Sequence, residues 1–137
     1  PKTLLKRSLV RRKEKMAVER ISKRALQQLL PGKIRDEKAD VVIKFYKNDC
    51  HYCHALSSYY EQISEEEEDT HFFAFNIDDY PQAEKILNFK GVPTICMLNI
   101  NQSAPRIRVM RDPSKPDHET WYNFQDIRNF IEQEKQK

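Results

Sequence analysis

The spacing of hydrophobic positions changes several times along the chain, and each change marks an element. Residues 3–30 lack Gly and Pro and are rich in Leu, Arg, Lys, Ala and Gln, which are good helix formers. Within them Val18, Ile21, Ala25 and Leu29, with Leu26 and Leu30 beside them, recur at helical spacing. This predicts one amphipathic helix stopped by Pro31-Gly32. From Asp40 the texture becomes Val41-Val42-Ile43-Lys44-Phe45-Tyr46, a β-branched and aromatic run that predicts a strand. Lys47-Asn48-Asp49 turns the chain, and residues 50–66 predict a helix with Ala55, Leu56, Tyr59, Tyr60 and Ile63 available to its inner face. His71 to Ile77 predicts a second strand by its aromatic content. Residues 81–89 predict a short helix with Pro in its first turn, ended by Gly91. Strands at about 94–99 and 105–110 are close enough to pair as a hairpin, and residues 119–134 predict a final helix burying Trp121, Phe124, Ile127, Phe130 and Ile131. The order is helix, then βαβαββα.

A chain of 137 residues has room for one hydrophobic core. Gly32 and Gly91 are the only glycines, so neither a dinucleotide or phosphate-cradling loop nor a G-x-S-x-G nucleophile turn can be built. Even Val41-Val42-Ile43 is cut by Lys44, and no apolar run approaches the roughly 20 residues of a bilayer span. Three cysteines do not make a disulfide scaffold.

The net charge of +3 hides a division. Residues 1–35 carry 12 basic residues and two acids, whereas residues 36–137 carry 12 basic and 19 acidic ones. This separates a basic helical N-terminal extension, 1–35, from an acidic domain, 36–137, and argues against a uniformly basic nucleic-acid binder. Residues 1–13 lack acids and resemble part of an organellar transit peptide, one of several open readings; the compartment is left open, an organelle or secretory compartment being slightly favoured over the cytoplasm. A basic amphipathic helix could also lie on an anionic membrane or nucleic acid, while residues 17–30 are expected to pack their stripe on the domain. Starting at Pro1, the chain reads as a processed protein or a piece of a longer one.

Cys50-His51-Tyr52-Cys53 follows a predicted strand and opens a predicted helix, the context in which C-x-x-C is a dithiol redox pair. At a helix start the unpaired N–H groups and the macrodipole favour an anion, so Cys50 should be the more acidic thiol and the nucleophile. Cys53, one turn later, lies on the same face and can close a disulfide. His51, between the sulfurs, adds a partial positive field that lowers the Cys50 pKa.

Phe45-Tyr46-Lys47-Asn48-Asp49-Cys50-His51-Tyr52-Cys53, followed by Gly91-Val92-Pro93-Thr94, resembles the thioredoxin superfamily over about residues 38–135. The resemblance implies an α/β, thioredoxin-like fold: a mixed sheet of about four strands flanked by helices, preceded here by the basic N-terminal helix. It implies that Pro93 is cis and lies beside the dithiol, and that the backbone of Val92 pairs with a substrate strand. His51 and Tyr52 join Val92 and Pro93 on the substrate-binding surface. Ile77-Asp78-Asp79 falls where the family has its V-D-x-D-type segment.

The sequence departs from the family at three places. Asp49 stands where a Trp usually precedes the first Cys, replacing a flat apolar platform by a carboxylate. Lys44 stands six residues before Cys50, where relatives usually bury the acid that accepts the second thiol's proton. The His-Tyr dipeptide matches no subfamily. Lys44 and Asp49 are therefore the expected modulators of the dithiol, the alternative for Lys44 being that its amine extends to solvent and has no redox role.

The resemblance implies a thiol-disulfide oxidoreductase acting on protein cysteines through a mixed disulfide, with no metal or other cofactor. Its partners would be substrate proteins and an upstream thiol donor or acceptor, without nucleic acid. A redox-inactive adaptor using the same groove is the competing class. Cys50 through His54 also spells the C-x-x-C-H attachment string of c-type haem, with Met97 or Met110 as a distal ligand, but haem would displace the strand–helix packing that the flanking residues support. Zinc held by Cys50, Cys53, His51 and His54 fails because residues within one helical turn cannot converge tetrahedrally. Cys96, beside Met97 and Leu98, is a buried structural thiol, and Glu65 to Asp69 a solvated helix end.

Overall fold

The computed structural model describes residues 18–31, 38–101 and 103–136. Its centre is β2, Ala39–Tyr46, whose β-branched and aromatic run is buried on both faces. Such a strand belongs inside a sheet covered by helices on either side. It pairs in parallel with β3, Thr70–Asn76, and antiparallel with β4, Thr94–Asn101. β5, Ser103–Val109, continues antiparallel from β4, and β1, Val18–Arg20, adds in parallel to the far side of β3. The sheet therefore has five strands in the order β1-β3-β2-β4-β5.

The pleat of β2 divides the core. Val41, Ile43 and Phe45 face Leu26 and Leu29 of α1, Lys23–Leu29, and Ala83 and Leu87 of α3, Ala83–Leu87. Val42 faces the other way, towards Leu56, Tyr60 and Ile63 of α2, His51–Glu66, and Ile127 and Ile131 of α4, Phe124–Glu134. Each fully buried Leu or Ile contributes roughly 1.5–3 kcal/mol. The Tyr60 hydroxyl, inside this second layer, donates to the carbonyls of Val42 at 3.2 Å and Phe73 at 2.7 Å.

Several expectations need correction. The helix predicted through residue 30 is broken: Val18-Glu19-Arg20 is a strand, and Ser22 caps the helix that follows, its side chain accepting from Ala25 N at 3.1 Å. The fifth strand arises because these residues meet the open edge of β3, a pairing that local spacing does not reveal. β1 and α1 lie in the same sheet and core as the rest, although their charge groups them with the 1–35 extension. Residues 1–17, on which the transit-like and membrane-associating readings rest, lie outside the described residues. The short helix ends at Asn88, in the left-handed region at φ 59°, before Gly91 is reached. The last helix starts at Phe124 rather than 119, because Asn123 caps it and Asp117 and Trp121 form a bridged turn ahead of it. Among the described residues, no helix is long and apolar enough to cross a membrane.

Candidate active site

β2 ends at Tyr46, and the backbone N–H of Cys50 closes a turn onto the carbonyl of Lys47 at 3.2 Å. Cys50 is then the N-cap of α2, with extended backbone, and its sulfur accepts the Cys53 N–H at 3.0 Å. A sulfur in that position takes up one of the helix's unpaired donors and sits at the positive end of its dipole. Cys50 and Cys53 are joined as a disulfide with Cα atoms 5.2 Å apart. Cys50 is half-buried, whereas Cys53 is 2% exposed. Only the first sulfur is open to another protein.

The segment carrying Pro93 lies at the same end of the sheet, because Thr94 at the start of β4 pairs with Phe45 near the end of β2. The Val92–Pro93 bond is cis. Gly91 adopts φ +78°, a conformation that side chains disfavour, and its N–H donates to Glu84 at 2.7 Å. The Thr94 hydroxyl donates back to the Gly91 carbonyl at 2.8 Å. Val92 is half-buried, and Asp49 is exposed directly before Cys50.

His51 is exposed, with its ring edge-on to Tyr52 at 5.8 Å. His54 is exposed, and its Nε2 donates to the Asn48 carbonyl at 2.6 Å. Among the described residues, no group of three His, Cys, Asp or Glu side chains could hold a metal.

Lys44 is 5% exposed, so it does not reach for solvent as long cationic side chains usually do. Its Nζ donates to the Ser57 hydroxyl at 3.2 Å and lies 5.2 Å from the centre of the Tyr60 ring. Burial lowers its pKa to about 8, and the charge of Glu61 opposes that fall. Lys44 and Cys53 line one cavity of about 200 Å³. Cys96 is fully buried, and burial pushes its thiol up to about 12, which keeps it protonated.

Sequence reasoning missed Trp121, which it placed on the buried side of the last helix. The residue instead stands in the turn before α4 at φ 67°, held by paired backbone hydrogen bonds with Asp117 at 2.9 and 3.0 Å. Its indole packs on Tyr52 with ring centres 5.5 Å apart, and its Nε1 donates to Asp112 at 3.2 Å. Asp117 before His118-Glu119 could have signalled a side-chain-capped turn, since its carboxylate accepts from the N–H groups of Glu119 and Thr120.

A helix-capping dithiol at the end of a central strand, in a sheet covered on both faces, defines a thioredoxin-fold dithiol protein. The thioredoxin family model matches residues 22–115, and the chain belongs to that family. Among solved structures, the Trx4 domain of ERdj5 matches with a TM-score of 0.65 and 12% identity, over 86% of this chain and 95% of that one. Thioredoxin f2, in a crystal structure of its complex with ferredoxin:thioredoxin reductase, matches at 0.62 and 20% identity, over 85% and 93%. The thioredoxin of Malassezia sympodialis matches at 0.60 and 17%, over 85% and 89%. At these identities the structures support the fold alone. No curated protein matches the chain. Family membership with an intact C-x-x-C pair points to thiol–disulfide redox chemistry.

Proposed function

We propose that the protein is a thiol-disulfide oxidoreductase for protein cysteines, with Cys50 as nucleophile and Cys53 as resolving thiol. The observation that carries this reading is the asymmetry of the pair: Cys50 caps α2 and is half-buried, while Cys53 is enclosed. The thiolate of Cys50 attacks a substrate disulfide, forming a Cys50–substrate bond and releasing one substrate sulfur as thiolate. Cys53 then attacks Cys50, forming the internal disulfide and releasing the second substrate sulfur. The reverse sequence oxidises a substrate dithiol. The partners are substrate proteins and a thiol donor or acceptor that resets the pair; one solved relative is in complex with a ferredoxin-dependent reductase.

Val92 and Pro93 form the surface along which the substrate chain lies, and Tyr52 with His51 forms the opposing side. Asp49 supplies a carboxylate beside the nucleophile, which favours substrates with a basic residue near their cysteine. The buried charge of Lys44 favours a thiolate at Cys53, stabilises the dithiol and raises the reduction potential, making the pair more oxidising than one with an acid in that place.

Insulin reduction tests the reading. The wild type should turn over with dithiothreitol or a reductase as donor, and Cys50→Ser should show none. Absence of wild-type turnover with several donors would favour the adaptor class instead.

A further inference from the structure

Resolution of a mixed disulfide requires Cys53 to lose a proton, and Cys53 is nearly sealed from solvent. The group that takes the proton must therefore line the space behind it. That space is the cavity of about 200 Å³ between α2 and the strands β1, β3 and β2, large enough for several waters at about 30 Å³ each.

The titratable groups lining the cavity besides Cys53 are Glu19 and Arg20 of β1, Lys44 and Tyr46 of β2, and His54, Tyr60 and Glu61 of α2; β3 contributes only Ala74. Arg20 is a permanent cation and sits over the Tyr46 ring at 5.8 Å. His54 is committed to the Asn48 carbonyl. The Tyr60 hydroxyl donates to two backbone carbonyls, and burial holds its pKa well above the usual value. The charge of the Glu61 carboxylate acts on Lys44. Glu61 is exposed on α2 while Lys44 is buried, so the cavity they both line leads from solvent to the amine. Ser57 ties the amine to the helix that carries the thiol: its hydroxyl accepts from Lys44 Nζ and donates to the Cys53 carbonyl, both at 3.2 Å.

We propose that Lys44 accepts the proton of Cys53 in the resolving step, that Ser57 holds the amine in the cavity, and that Glu61 is a positioning residue whose charge tunes the transfer. The inference rests on the redox reading above. In the step, Cys53 Sγ–H gives its proton to Nζ and the thiolate forms the Cys50–Cys53 bond. The bond from Cys50 to the substrate sulfur breaks, the substrate leaves as a thiolate, and the ammonium returns its proton to water through the cavity. The reactive state of the Lys44–Cys53 pair holds one proton fewer than the fully protonated pair, and its titration belongs to both groups together. The lowered pKa of Lys44, about 8, brings that state within reach near neutrality.

The test follows the reaction of reduced protein with 5,5′-dithiobis(2-nitrobenzoate) by stopped flow. The first thionitrobenzoate release reports attack by Cys50, and the second reports resolution by Cys53. In the wild type the second release should rise with pH through the joint titration of the Lys44–Cys53 pair. In Lys44→Met the buried thiol titrates alone, so the midpoint should rise and the second release at pH 7 should slow at least about tenfold, with the first unchanged. In Glu61→Gln, a substitution at an exposed position, loss of the negative charge should move the midpoint down and speed the second release at pH 7 about two- to threefold. A normal first release with an unchanged second profile in Lys44→Met overturns the proposal and passes the role to Glu19. An unmoved midpoint in Glu61→Gln overturns the part assigned to Glu61. Absence of the first release in the wild type overturns the redox reading, and this proposal with it.

Discussion

The Trp121 indole lies on the Tyr52 ring, centres 5.5 Å apart and planes 60° to one another, so a turn far along the chain reaches the dipeptide between the two cysteines. Trp121 thus brings an aromatic surface to the residues between the sulfurs from another element, while the residue just before Cys50 is the carboxylate Asp49.

Trp121 is the only tryptophan, so its emission should report the state of the dithiol. Reduction should change the fluorescence intensity, and Cys53→Ser should abolish the change. Trp121→Gly relieves left-handed strain of about 1 kcal/mol but removes the indole's packing on the core, its contact with Tyr52 and its bond to Asp112, so thermal stability should fall. The KM for a peptide disulfide should also rise several-fold. An unchanged KM would make the indole a packing residue only.

The enclosure of Cys53 predicts an order of reaction. In reduced protein, iodoacetamide should modify Cys50 first, at a rate that titrates below the usual thiol range. Cys53→Ser should accumulate mixed disulfides and Cys50→Ser should form none. Peptide mapping after brief labelling checks the order, and faster modification of Cys53 would contradict it.

Lys44 should make stability depend on pH. Its folded pKa, about 8, lies below the ordinary lysine value of 10.5, so between these values the unfolded chain binds more protons. Stability therefore rises with pH across that window, and the full penalty of the buried ammonium is present below pH 8. Above pH 10 the raised pKa of Tyr60 acts in the opposite sense, as the unfolded chain ionises first. Urea titrations of the oxidised protein should show a gain of about 1–3 kcal/mol from pH 7 to 10. Lys44→Met should flatten the rise and be the more stable protein at pH 7.

Replacing the charge tests its effect on the potential. Lys44→Glu should lower the Cys50–Cys53 reduction potential by tens of millivolts, since about 30 mV corresponds to a tenfold change in the exchange equilibrium. Equilibration with glutathione measures it, and an unchanged potential would separate the Lys44 charge from the dithiol.

Gly91 offers a stability test at the edge of the site. At φ +78° a side chain is strained although no atom lies within 4 Å of an added Cβ, so Gly91→Ala should cost about 1–2 kcal/mol through the backbone alone. Chemical denaturation checks this, and a neutral substitution would show that the segment relaxes.

Much of the site was legible because its signals are local. Strand residues 41–46, the turn, and the Cys50–Cys53 spacing lie within one short stretch, and Gly91-Val92-Pro93-Thr94 carries its own pattern. The strand at Val18–Arg20 and the cavity behind Cys53 were not legible. β1 exists because β3 offers an edge, and the cavity because helix and strands meet around a single lysine.

By itself the sequence determined the order of most elements, the central strand, and a dithiol at a helix start, since each follows from periodicity or from a few adjacent residues. Tertiary structure decided that Lys44 is buried rather than solvated, that Glu61 and Ser57 are its neighbours, and that Trp121 meets Tyr52. Those outcomes depend on how separate elements pack. A side chain's solvation and its contacts are set by residues distant in the chain, which local spacing does not encode.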